Sequence, residues 1–137
     1  MARQIDERPE ELLAIPRNFI VSIDDQEIGF ASLSRLGSET VREEPAREVH
    51  RYPNVVLRRA LGHDRRLFDW RDRILSGKSD KRLVTIRQLD TVGGLAMNIW
   101  LLEGAWPCRW SGPAFNANAT EVAMEEIELA YDRLIWR

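Results

Sequence analysis

The side chains that could perform chemistry are few, and their spacing does not match a known catalytic or metal site. His50 and His63 have no cysteine or carboxylate at metal-ligand spacing, so exposed loop histidines are the favoured interpretation. The single cysteine, Cys108, precedes an arginine that could lower a thiol pKa, but a small packed residue is the favoured interpretation. The pairs Ser111-Gly112 and Gly93-Gly94 match neither a nucleophile elbow nor a phosphate-binding loop.

Three glutamates near the C-terminus are the remaining candidates for acid–base chemistry. Glu125, Glu126 and Glu128 could in principle supply the carboxylates. A solvated or interface-facing strand edge is the favoured interpretation of all three. We therefore predict no catalytic residue, no cofactor site and no metal site, and we expect a protein that is not an enzyme.

The composition is that of one soluble globular domain with no attraction to polyanions. The chain has 137 residues, of which 44% are hydrophobic and 31% charged, as is ordinary for a folded domain. Five tryptophans could indicate binding of single-stranded nucleic acid, but 22 acidic residues outnumber 20 basic ones. The apolar runs are too short for a membrane span, and the charged N-terminus does not resemble a signal peptide. We therefore expect a cytoplasmic protein without membrane insertion.

The hydrophobic pattern predicts a mainly β domain over residues 17–137, preceded by a polar N-terminal arm at residues 1–16. The arm has at most one helical turn, near residues 10–13. One substantial helix is predicted over residues 64–76, with Asp64 as its N-cap and Gly77 where it stops. Residues 121–135 fit both a helical stripe and an alternating strand, so periodicity alone does not decide their structure. The predicted strands are residues 18–23, 28–33, 54–59, 83–89 and 95–102, with turns at 24–25 and 90–94.

One face of the predicted helix is apolar and should pack into the core. The large apolar side chains on this arc are Leu67, Phe68, Trp70, Ile74 and Leu75. Arg71 lies inside the same arc. Its aliphatic stem covers the edge of the core in the favoured interpretation, and in the alternative its guanidinium meets a carboxylate of a neighbouring subunit.

Three stretches, taken in order over residues 18–136, resemble the tail-tube proteins of contractile phages and phage-derived contractile injection systems. The first is the hairpin FIVSIDDQEIGFASLSRLG, in which Arg35 stands where the family often has glycine. The second is YPNVVLRRALGHDRRLFDWRDRILSG, where Ala60 replaces the usual glycine and the matching residues are Leu57, Arg58, Leu67 and Trp70. In the third, the matching residues are Trp100, Ala105, Trp106, Pro107, Gly112, Pro113, Asn116, Ala117, Val122, Ala123, Glu125 and Leu129.

The resemblance implies a β-barrel or sandwich of two crossed sheets with one flanking helix, and it implies that residues 121–135 form a strand. It also implies a structural subunit of the inner tube, or of an adaptor ring, assembled as hexameric rings. The implied partners are further copies of the chain, paralogous tube and baseplate subunits, the surrounding sheath and cargo in the lumen. Assembly would take place in the bacterial cytoplasm, and the product would lie in the tail tube of a virion or an injection particle. The alternative function is a monomeric β-barrel module that binds a peptide or single-stranded nucleic acid.

Residues 38–52 depart from the family pattern. Tube proteins usually carry a long glycine-containing hairpin here, which lines the lumen and reaches the next subunit. This segment has no glycine and is shorter, with Pro45 at its expected tip, which leaves room for a tube-initiating or terminal adaptor ring. Because it holds few large apolar residues, we expect it to be poorly ordered in an isolated monomer.

Two sets of residues are expected to serve assembly. Trp106 and Trp110 flank predicted turns, where tryptophan commonly bridges core and surface or anchors an interface. The expected subunit-interface residues are Glu43, Glu44, Pro45, Arg47, Arg71, Trp106 and Trp110. The expected residues of the lumen or ring edge are Glu126, Glu128 and Asp132, together with Glu43 and Glu44.

Overall fold

The computed structural model describes residues 18–91, 94–118 and 120–137, which form ten strands and one helix. The predicted arm, with its helical turn near residues 10–13, lies outside the described residues. In chain order the elements are β1 Phe19–Ile23, β2 Gln26–Ile28, β3 Ser32–Ser34, β4 Glu39–Glu44, β5 Arg47–Arg51, β6 Val55–Ala60, α1 Arg66–Leu75, β7 Arg82–Leu89, β8 Ala96–Ser111, β9 Met124–Ala130 and β10 Arg133–Trp136.

Eight of these strands form two crossed antiparallel sheets that share the long strand β8. The first half of β8 pairs with β7 and β10, and its second half pairs with β9. The first sheet therefore runs β2-β1-β7-β8-β10, and the second sheet runs β8-β9-β6-β3. Strands β4 and β5 form a separate hairpin. This architecture confirms the predicted mainly β fold of two crossed sheets with one helix.

Strand β8 passes from one sheet to the other through a bend at its middle. Gly104 has φ +67°, and a Cβ at this position would collide with the carboxylate of Asp132. The ladders on both sides of β8 shift register near this point, as β-bulges do when they bend a strand. The prediction that this strand ends at residue 102, before a turn at residues 105–107, is therefore wrong. A bulge changes the direction of the chain there without ending the strand pairing.

The core lies between the two sheets and beneath α1. Strands β1, β6, β7 and β9 direct alternate side chains inward, as the two-residue period of a strand requires. The helix adds Leu67 and Trp70, each 1% exposed. The indole Nε1 of Trp70 donates to the backbone carbonyl of Asp80 at 2.8 Å, so the polar atom of this large buried side chain is satisfied.

The helix is shorter than predicted at both ends. Its cap position is Arg65 and not Asp64, although Asp64 Oδ1 still accepts the backbone N–H of Arg66 at 3.0 Å. Gly77 follows the helix with φ +86°, and its N–H donates to the carbonyl of Ile74 at 3.0 Å. This left-handed glycine stops the helix, as predicted, although the last helical residue is Leu75 and not residue 76.

The buried face of the helix is narrower than predicted. Leu67 and Trp70 are buried, whereas Phe68 is 37% and Leu75 66% exposed. A short helix at the margin of two sheets covers the core with a narrow stripe, so the outer members of the apolar arc stay in solvent.

Two predicted strands are divided in the structure. Residues 28–33 do not form one return strand, because β2 belongs to the first sheet and β3 to the second. Residues 121–135 hold β9 and β10, so the strand interpretation is confirmed but the segment is split. The predicted turn between β1 and β2 is confirmed, since Asp24 and Asp25 have φ 49° and 69°, as a two-residue hairpin of type I′ requires.

Truncation of Trp70 tests which face of the helix is buried. We expect Trp70→Ala to lower the free energy of unfolding by ~3–5 kcal/mol, because it leaves a cavity and unpairs the Asp80 carbonyl. Urea denaturation followed by circular dichroism measures the change. The matched control is Trp136→Ala, at a tryptophan that is 66% exposed, which should cost about 1 kcal/mol or less. Equal effects of the two substitutions would contradict the packing described above.

Candidate assembly surfaces

The hairpin of β4 and β5 projects from the sheets. Residues 39–51 make no substantial contact with another strand or helix of the described chain. Pro45 lies at the tip, as predicted, and Tyr52 at the base packs against Tyr131 with tilted rings whose centroids are 5.7 Å apart. The segment forms an antiparallel ladder with a register shift between Arg42 and Glu44, and its poor order in an isolated monomer stays a prediction. The hairpin buries little apolar surface. Main-chain pairing holds its two strands together, with cross-strand ion pairs such as Arg42–Glu48 at 3.4 Å.

The hairpin has one mixed face and one polar face. Val41 and Val49 are directly opposite each other and are the half-buried residues of the two strands. The other face holds Thr40 and His50, whose Oγ1 and Nδ1 lie 2.9 Å apart. The predicted interface residues at the tip are all exposed; they are Glu43, Glu44, Pro45 and Arg47. Among the described residues, the hairpin makes no substantial contact with another strand or helix. Within the hairpin, Arg47 and Glu43 form an ion pair at 3.7 Å.

The outward face of the second sheet carries a ladder of paired charges. Arg109 donates from Nη2 to Glu126 at 2.8 Å and from Nε to Glu128 at 3.0 Å. Arg58 lies 3.4 Å from Glu126, and Asn54 donates to Glu128 at 2.9 Å. The hydrogen bond from Asn54, followed by those from Arg109, lowers the pKa of Glu128. The face is therefore charged, hydrated and close to electrically balanced.

Asp132 does not join this ladder. It lies in the turn between β9 and β10, where its carboxylate is 3.4 Å from the Nζ of Lys81. The structure thus brings Glu126 and Glu128 together on one face and places Asp132 elsewhere, while the assignment of all three to a lumen or ring edge stays a prediction.

Glu125 is buried and not at a solvated edge, so this part of the sequence interpretation is wrong. Its side chain is 2% exposed, and it accepts hydrogen bonds from Arg59 Nε at 2.7 Å and from Trp110 Nε1 at 2.8 Å. Strand alternation explains the error, because Glu125 shares the inward face of β9 with Ile127 and Leu129. The same alternation places its two glutamate neighbours on the outward face.

The buried carboxylate ties α1 to the second sheet. Arg59 also donates from Nη1 to Asp64 Oδ2 at 3.0 Å, directly before the helix begins. Hydrogen bonds from Arg66 first, and then from Arg59, hold the pKa of Asp64 well below its usual range. A hydrogen-bonded chain therefore runs from the inward face of β9 to the first residue of the helix.

The remaining predicted interface residues are used within the chain. Trp110 donates to Glu125, as above, and packs edge-on against Phe68 with ring centroids 5.0 Å apart. Arg71 is half-buried and donates from Nη1 to the carbonyl of Pro107 at 3.2 Å, in keeping with the interpretation that it covers the edge of the core. Trp106 is half-buried inside β8, opposite Ala130, and does not flank a turn.

The chemistry-bearing residues do not form a reaction centre in the part of the chain that the structure describes. Burial, followed by the charge of Glu128, raises the pKa of the Cys108 thiol, which opposes thiolate formation. Within residues 18–91, 94–118 and 120–137, no group of three His, Cys, Asp or Glu side chains could hold a metal ion. The helix in the same residues does not have the length and apolar character of a membrane span.

The described architecture is that of a known protein family. The T4-like virus tail tube protein gp19 family matches residues 16–135. The chain belongs to this family. Among solved structures, the chain is 27% identical to a chain of the PVC sheath-tube complex of an extracellular contractile injection system in its extended state, with TM-score 0.70 over 93% of each chain.

Two further structures extend the comparison. A chain of the PVC sheath/tube terminator is 28% identical, with TM-score 0.71 over 90% of this chain and 96% of that chain. Hcp1 from Flavobacterium johnsoniae, at 9% identity and TM-score 0.66 over 86% of this chain and 93% of that chain, shares the fold. No curated protein matches the sequence significantly. The chain is thus a structural subunit of a contractile tail or injection system, and the alternative of a monomeric binding module has no support.

Removal of the buried carboxylate of Glu125 should destabilise the fold far more than removal of the neighbouring carboxylate of Glu126. We expect Glu125→Ala to lower the free energy of unfolding by about 3 kcal/mol, because Arg59 and Trp110 lose a buried partner while Arg59 keeps Asp64. Glu126→Ala, on the outward face of the same strand, should cost less than about 1 kcal/mol. Urea unfolding of both variants measures the difference, and similar midpoints would show that the Glu125 network contributes little.

Proposed function

We propose that this tail tube protein assembles into a closed hexameric ring, in the bacterial cytoplasm, and that the ring forms part of a conduit for cargo in a tail or injection particle. Its role is mechanical, without catalysis. The partners are further copies of the chain, paralogous tube or baseplate subunits, and a surrounding sheath. The observation that carries the proposal is the projecting hairpin of β4 and β5, which makes no substantial contact with another strand or helix of the described chain. The chain itself belongs to a family of tail tube proteins.

In the described residues, a monomer leaves the β4–β5 hairpin without a packed face and the sheet edges without a pairing strand. A two-stranded hairpin without a packed face is marginally stable in water. Free sheet edges, such as β2, β3 and β10, invite further pairing. A closed ring satisfies both kinds of surface at once, since each subunit presents its hairpin and edges to a neighbour and no end is left open.

The choice between a main-tube subunit and an adaptor ring depends on how rings stack. Similarity to the sheath-tube chain and to the terminator chain is nearly equal, at 27% and 28% identity. A main-tube subunit should form stacked rings or tubes by itself. An initiating or terminal adaptor should stop at single rings, for which the short, glycine-free hairpin is better suited.

We assign the outward face of the second sheet to the channel wall, with Glu126 and Glu128 as its carboxylates. A wall that lets cargo pass must not present an unbalanced basic surface, because many phosphate contacts would hold a polyanion. Arg109 and Arg58 are each paired with a carboxylate on this face, which limits that attraction. Asp132, with the hairpin residues Glu43 and Glu44, would lie at the ring edge.

Imaging of purified protein tests the ring. We expect negative-stain micrographs at rising concentration to show six-fold rings or tubes of the intact chain. Deletion of residues 43–48 should leave a folded monomer by circular dichroism but abolish the rings, because it removes the projecting tip. Lys78→Ala, at the exposed end of the helix, is the control that should still assemble. A persistent monomer of the intact chain would overturn the proposal, and rings of the deletion variant would exclude the hairpin tip as an assembly element.

Neutralisation of the wall carboxylates tests the channel assignment. We expect rings of the Glu126→Gln, Glu128→Gln double variant to bind single-stranded DNA at low salt, because Arg58 and Arg109 then face the lumen without partners. Binding should weaken steeply as salt rises. The matched control is Asp69→Asn, Asp72→Asn on the exposed helix, which changes the net charge equally. Fluorescence anisotropy of labelled DNA measures both, and equal binding by the two variants would contradict the assignment.

A further inference from the structure

Arg35 has a left-handed backbone conformation that its side chain does not favour. Its φ is 74°, and it directly follows β3. The other non-glycine residues with positive φ in the described chain are Asp24 and Asp25, which form a type I′ turn and are of a residue type that tolerates this region. Arginine is not of that type, because its Cβ crowds the following carbonyl oxygen in a left-handed conformation.

The packing of two leucines explains the backbone conformation of Arg35. In a continuous strand, residues 33 and 36 would point to opposite faces. Leu33 and Leu36 nevertheless both pack against the core, and Arg35 between them is exposed. The left-handed residue thus turns the chain so that the second leucine points inward. Glycine would make the same turn without the steric cost, so core packing accounts for the backbone but not for the arginine.

Arg35 lies at the border of the charged outward face of the second sheet. Ser34, the last residue of β3, is registered with Val56, and Val56 is registered with Glu128. Registered partners lie on the same face of a sheet, so β3 ends beside the row that holds Glu128. The hydrogen bond from Asn54 is the largest cause of the lowered pKa of Glu128, and the positive charge of Arg35 adds to it. The guanidinium of Arg35 is therefore within electrostatic range of this face.

Arg35 gives this face more cations than carboxylates. The carboxylates of Glu126 and Glu128 are matched by ion pairs with Arg58 and Arg109. Among the described residues, no carboxylate lies within 4.0 Å of the guanidinium of Arg35. Residues in strained backbone conformations that packing does not require occur mainly at functional sites. The cation left over on this face is therefore a candidate binding residue.

We propose that Arg35 is a cargo-binding residue of the channel wall and pairs with acidic side chains of a protein cargo. This inference rests on the proposed ring and on the assignment of this face to its channel. Repetition in every subunit places a circle of these guanidinium groups around the lumen, and each can form a bidentate pair with a carboxylate. The nearby carboxylates of Glu126 and Glu128 oppose nucleic acid, whose binding requires many cations together. A single extra cation in each subunit keeps the contact weak, so the cargo can still move.

Substitutions at residue 35 test the role of its charge. We expect Arg35→Ala and Arg35→Gly each to weaken the binding of labelled poly-L-glutamate by assembled rings at least about fivefold at low salt. Arg35→Lys, which keeps the charge, should bind more tightly than either variant. The matched control is Arg65→Ala on the exposed helix, which changes the net charge equally and should bind like the intact chain. Fluorescence anisotropy measures binding, and negative-stain micrographs verify that each variant forms rings.

Stability and binding should respond differently to these substitutions. Arg35→Gly relieves the left-handed strain, so it should leave the urea midpoint unchanged or raise it while it weakens binding. A clearly lower midpoint for Arg35→Gly would show that the side chain serves the fold. Equal binding of poly-L-glutamate by Arg35→Ala and by the intact chain would likewise overturn the proposal.

A nucleic-acid probe distinguishes the class of cargo. Rings of the intact chain should bind labelled oligo-dT of matched length less tightly than poly-L-glutamate. Tighter binding of oligo-dT that Arg35→Ala reduces would assign the residue to nucleic acid and overturn the assignment to protein cargo. Failure of the intact chain to form any ring would instead refute the proposed function, so the two failures are distinguishable.

Discussion

The bend of β8 at Gly104 joins the two sheets and determines where every other element lies. Because one strand pairs with β7 and β10 before the bend and with β9 after it, the sheets cross and enclose a single core. A side chain at Gly104 would strain a left-handed backbone and collide with Asp132. Straightening β8 would separate the two sheets, uncover the core and remove the surface on which the helix packs.

A buried charge network fastens the helix to this frame. Glu125 lies in the core side of the second sheet, and a carboxylate there is tolerable only if its oxygens are hydrogen-bonded and its charge is matched. Arg59 and Trp110 meet both requirements, and Arg59 extends the network to Asp64 at the start of α1. The network adds directional contacts to the apolar packing of Trp70. It therefore specifies the orientation of the helix and not only its burial.

The outward faces of the two sheets differ in composition. The second sheet presents a ladder of paired charges around Arg109, which suits contact with water. The outward face of the first sheet mixes Ile99, Leu101 and Ile135 with Thr85 and Arg87.

The sequence by itself determined the features that depend on neighbouring residues. The Asp24-Asp25 turn, the end of the helix at Gly77 and the inward position of Trp70 follow from local backbone preferences and short-range periodicity. The ordered family motifs also identified the tail-tube resemblance. Only the tertiary structure decided that β8 continues through its bend, that residues 28–33 divide between two sheets, and that Glu125 is buried. Each of these depends on pairing or hydrogen bonding between residues distant in the chain, which no local pattern contains.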